Sequence, residues 1–154
     1  MCVEENSKDG IELVPVFYTP KMVVNISNFS PSAGKPARVV GSWQRLGLPI
    51  EIIEFMPVAA NELKLVHAPD YVDKVLSCEI SNGFGNRLPE VAETLLYTSG
   101  SMLSAAREAI RNRKVAVAPC SGFHHAGFKS ASGYCTFNGL MVTAFCFKNR
   151  RGGH

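Results

Sequence analysis

Three short apolar runs, at residues 13–18, 50–55 and 115–118, are separated by segments whose apolar residues recur at helical spacing. Strands that alternate with helices in this way belong to a parallel sheet, because a parallel crossover needs a long connection and a helix supplies it. The expected fold is therefore α/β, a three-layer α/β/α domain with a small parallel sheet. In such sheets ligands bind beyond the C-terminal ends of the strands.

The helical segments carry their own start and stop signals. Pro36 suits a first helical turn, and Val39, Val40, Trp43 and Leu46 follow on one face until Gly47 offers a stop. Pro69 opens a helix with Asp70 and Asp73 near its positive end and Val72, Val75 and Leu76 as its apolar stripe, ending near Ser77. Between them, residues 63–66 read as a short extended piece before His67, and residues 81–86 read as a turn-rich loop. The longest pattern, residues 89–113, holds Val91, Leu95, Met102, Ala106 and Ile110 on one face, with Glu90 and Glu93 early and Arg107, Arg111 and Arg113 late. Gly100 in its middle costs roughly 1 kcal/mol against Ala and allows a close packing contact or a bend. Residues 136–148 read as a last helix.

At 154 residues the chain has the length of one domain, with a polar leader over residues 1–12 and a basic tail over residues 148–154. Hydrophobic residues, at 46%, are enough for a core, and a net charge of +3 is too small to point to nucleic acid or an anionic membrane. The leader is polar and acidic where a signal peptide is basic and apolar, so a cytoplasmic location is expected. Five scattered cysteines, Cys2, Cys78, Cys120, Cys135 and Cys146, form no C-x-x-C knuckle and read as free thiols.

The chemistry concentrates in residues 119–138, the loop after the third apolar run. Tandem His124 and His125, hemmed by glycines and aromatics, suit a general acid–base pair, since imidazole titrates near neutral pH. The same two residues also suit surface or structural histidines, because no orienting carboxylate can be picked out nearby. Cys120, His124, His125 and Cys135 lie close in sequence but lack metal-site spacing.

The loop resembles that of the zinc-dependent histone deacetylase and acetylpolyamine amidohydrolase family, which reads P-P-G-H-H-A and then G-F-C-x-F-N-N. Here Pro119, His124-His125-Ala126 and Gly133-Tyr134-Cys135-Thr136-Phe137-Asn138-Gly139 stand in the same order. The resemblance extends to Phe17-Tyr18, Pro20 and Met22, to Leu65-Val66-His67, Pro69 and Tyr71-Val72, and to Gly100-Ser101 and Leu103. It implies the arginase and deacetylase fold and hydrolysis of an acetyl amide by a metal-activated water. By motif, His124 would be the electrostatic partner and His125 the general acid–base, while Gly133 and Tyr134 would line the channel for an acyl-lysine or acetylpolyamine stem. Tyr134 replaces the usual Phe, Phe123 replaces a preferred Gly, and Ser32 to Pro36 replace H-P-E-x-P. His67 and Tyr71 read as packing residues.

In the family zinc is held by an Asp-x-His pair and a later Asp, all downstream of the motif that ends near Asn138. The expectation is that this chain is the N-terminal part of such a domain, with no metal ligand and no cofactor of its own. It would then be inactive alone and serve as a folded binding module. The alternative is half of a split enzyme completed by a second chain, with acetylated lysine or polyamine bound only once complete. Residues 115–118 would become an exposed strand edge, favouring a homodimer or another partner chain.

Overall fold

The computed structural model describes residues 10–25 and 31–151. Strands β1 (Val14–Phe17) and β2 (Ile50–Ile53) pair in parallel, with Val16 opposite Ile52. Helix α1 (Lys35–Arg45) returns the chain between them and buries Pro36 and Val40. Gly47, at φ +67°, then turns the backbone toward β2. The α/β class and the small parallel sheet follow the alternation of the sequence. The strand expected over residues 50–55 stops at Ile53.

The third apolar run differs more. Residues 115–118 form no strand, and only Val117 bridges Val16, donating to the Pro15 carbonyl at 2.9 Å and accepting from Phe17 N–H at 2.8 Å. Two prolines explain why. Extending this parallel ladder backward needs an N–H from Pro15, and extending it forward needs one from Pro119; neither exists. The Phe17 carbonyl that Pro119 would have met accepts instead from Ser101 Oγ at 2.6 Å. Val115 is left 65% exposed.

The run at residues 63–66 is also not extended. Helix α2 (Ala60–Leu63) continues into turns through Val66, because Glu62 accepts from Ala59 N–H at 2.8 Å and so satisfies a donor at the helix start. Leu63 is fully buried there. Helices α3 (Pro69–Leu76) and α4 (Pro89–Asn112) match their sequence signals closely, and α5 (Gly139–Arg151) begins three residues later than expected. Thr136 and Phe137 are drawn into the interior instead of the helix.

The main core lies among the helices. Leu63, Tyr71, Val72, Val75, Leu95, Leu103, Phe137 and Val142 pack as one cluster joining α2, α3, α4 and α5. Gly100 permits the approach of α4 to the segment after β2: a Cβ there would lie 2.8 Å from the Met56 carbonyl and 3.0 Å from Pro57 Cα. No helix among the described residues is long and apolar enough to cross a membrane. Most of the polar leader and residues 152–154 of the basic tail lie outside the described residues.

Candidate active site

The loop of residues 119–138 follows the Val117 bridge, beside the C-terminal end of β1, the side on which a parallel sheet presents ligands. Its first turn is set by Phe123, whose φ of +54° is left-handed. Ser121 Oγ accepts from Phe123 N–H at 3.2 Å, and the Phe123 carbonyl accepts from Ala126 N–H at 3.3 Å. A side chain in this conformation costs about 1–2 kcal/mol, a strain that Gly at this position would avoid. The turn displays His124 and His125 at its corner. Both are exposed, and their ring centroids stand 4.0 Å apart with planes inclined by 39°.

Gly133 and Tyr134 form a second, tighter turn. Ser132 and Cys135 exchange both backbone hydrogen bonds, at 3.0 and 2.8 Å, and the two residues between them both have positive φ, +54° and +62°. Such a two-residue hairpin needs left-handed backbone at both central positions. Gly133 also lies against His125: a Cβ there would be 3.2 Å from the imidazole carbons. Tyr134 is 43% exposed, with its ring centroid 6.3 Å from that of Phe84. The four residues expected to form the site therefore share one surface, with His125 as the bridge between the two turns.

Residues outside that set hold it in place. His67, 1% exposed, sits beneath the loop. Its Nδ1 lies 2.8 Å from the Gly127 carbonyl, and its Nε2 accepts from Asn138 N–H at 2.9 Å. A backbone amide can only donate, so Nε2 carries the lone pair and Nδ1 the proton. Burial lowers the pKa of His67 from its ordinary value of 6.5. The Tyr71 hydroxyl donates to the Thr136 carbonyl at 3.0 Å, and burial pushes its pKa up to about 12. Both residues pack, as expected from the sequence, and both also bind the loop backbone. Gly83 was not legible as a support. Its N–H donates to Thr136 Oγ1 at 2.9 Å, and a Cβ would lie 2.8 Å from the Cys135 carbonyl carbon. Only its place in a turn-rich loop hinted at a special position.

Cys120 is partly exposed but its thiol is enclosed, and burial pushes its pKa up to about 12, which disfavours the thiolate at neutral pH. Among the described residues no three His, Cys, Asp or Glu side chains gather where they could hold a metal ion. These residues therefore do not by themselves fit the zinc that the family resemblance implies.

A small parallel sheet, with paired imidazoles on the loop beyond the Val117 bridge, defines a domain of the α/β class. The family profile of the histone deacetylase domain matches residues 32–153, and the chain belongs to that family. Among solved structures, the crystal structure of the HDA15 HD domain superposes with a TM-score of 0.73 at 19% identity, covering 90% of this chain and 44% of that one. The chain thus spans less than half the length of that relative. No curated protein matches the sequence.

Proposed function

We propose that this chain is the acyl-amide-recognising and proton-handling part of a deacetylase-type amidohydrolase. What carries the reading is the contact of Gly133 with His125, which joins the histidine corner to the Gly133-Tyr134 turn on one exposed surface. In this reading the turn lines a channel for an acyl-lysine or acetylpolyamine stem. The stem lies along the glycine, where no Cβ intrudes, and against the ring of Tyr134. His125 exchanges protons with the amide as general acid–base, and His124 stabilises the charge that develops.

Zinc in the family supplies the activated water. In this reading the chain offers a surface for the acyl-amide stem, and with no ligand set among the described residues hydrolysis waits on zinc ligands from elsewhere. A second chain that supplies the ligands would restore turnover. The single backbone bridge at Val117 and the exposed Val115 favour such a partner, or a second copy of this chain, on that edge. The test is incubation of the purified chain with an acetyl-lysine peptide and zinc. No product and no stoichiometric metal are expected. One tightly held zinc per chain, with turnover that a chelator abolishes, would overturn the reading.

A further inference from the structure

We infer that His67 is a positioning residue that sets the placement of His124 through Asn138, an inference that rests on the reading of His124 as part of the site. The argument starts from the tautomer. With its proton on Nδ1, the buried imidazole donates to Gly127 at one end of residues 127–138 and accepts from Asn138 at the other, at 2.8 and 2.9 Å. One side chain thus closes the segment that carries Gly133 and Tyr134. Ala68 N–H reinforces the first end by donating to the Phe128 carbonyl at 2.9 Å.

Asn138 passes the constraint on in two directions. Its Oδ1 accepts from Met141 N–H at 3.1 Å, which makes it the N-cap of α5. Its Nδ2 donates to the His124 carbonyl at 3.5 Å. A shift of Asn138 therefore moves both the start of α5 and the backbone beneath the first histidine. The rings of Phe137 and Tyr71 pack beside the imidazole, with centroids 5.4 and 6.0 Å from that of His67.

Two substitutions separate the halves of this bond pair. The amide of His67→Gln reaches the former position of Nε2 and can still accept from Asn138. The shorter amide of His67→Asn reaches only the position of Nδ1 and keeps the Gly127 bond alone. Side-chain nitrogen NMR of the unaltered chain should show His67 protonated at Nδ1. His67→Gln should leave amide exchange at Asn138 and Met141, and the His124 ring resonances, close to those of the parent. His67→Asn should speed that exchange about tenfold, the loss expected of one hydrogen bond, and displace the His124 resonances. A proton on Nε2, or two variants indistinguishable at Asn138 and His124, would overturn the inference. Binding of acetyl-lysine amide, followed on the same samples, keeps the two ideas apart. A parent chain that binds nothing but shows the expected tautomer and the Gln–Asn difference sinks the proposed function alone. A chain that binds while the variants behave alike sinks only the role of His67.

Discussion

Gly83 and Gly85 lie two residues apart in one loop, and substitution of each by Ala should act through different physics. Gly83 has no unusual backbone angle, but an added Cβ would meet the backbone of Cys135 and Thr136 at 2.8–3.0 Å, where nothing flexible can give way. Overpacking of this kind costs about 1–3 kcal/mol, offset by the roughly 0.4–1 kcal/mol gained because Ala restricts the unfolded chain. Gly83→Ala should therefore destabilise by about 1–2 kcal/mol. Gly85 has open space around it but a φ of +76°, so Gly85→Ala pays left-handed strain of about 1–2 kcal/mol against the same offset, a net loss of about 1 kcal/mol. Urea melts will show two similar losses, and stability alone does not separate them. Position does. Gly83→Ala pushes on the segment that leaves the Gly133-Tyr134 turn and strains the bond to Thr136 Oγ1, so amide shifts at residues 133–136 and at His125 should move. Gly85→Ala should change shifts only within its own loop. Equal disturbance of the site by both, or a Gly83→Ala chain as stable as the parent, would refute the idea that Gly83 is there to admit the site's backbone.

Two further outcomes follow from the same geometry. Gly41→Ala in α1 meets only the tip of Arg45 at 3.4 Å and should stabilise by up to about 1 kcal/mol, whereas Gly100→Ala, against Met56 and Pro57 backbone, should destabilise; paired thermal melts check the opposite signs. His67 is held neutral, with its pKa below 6.5, so the unfolded chain takes up a proton that the folded chain refuses; stability should fall as pH drops below 6.5, and His67→Gln should flatten that fall in urea melts taken at successive pH values.

The sequence pattern made the long helices legible because their signals are redundant. Over Pro89–Asn112 the apolar stripe, the early glutamates and the late arginines all agree. The short segments failed where one hydrogen bond decided the outcome. Residues 63–66 alternate like a strand, yet Glu62 at Ala59 N–H starts a helix ahead of them. Residues 115–118 are apolar enough for a strand, yet Pro15 and Pro119 remove the ladder bonds on either side of Val117. Pro119 was visible as the end of the run, but the effect of Pro15 depends on register, which a sequence does not print. The site shows the same division. The motif singled out His124, His125, Gly133 and Tyr134 as candidates, and in the structure they share one exposed surface. The supports, Gly83 and Asn138 bound to His67, act through backbone atoms of distant segments, a pairing that neither the turn-rich loop around Gly83 nor the motif containing Asn138 discloses.

Recognition of an acylated lysine stem by the His125 and Gly133-Tyr134 surface is the central claim, and titration of the isotope-labelled chain with acetyl-lysine amide tests it most directly. Saturable shifts at Gly133, Tyr134, Phe84 and His125, absent with the unacetylated lysine amide, are the expected result. Shifts confined to other parts of the chain, or equal shifts with both amides, would contradict it.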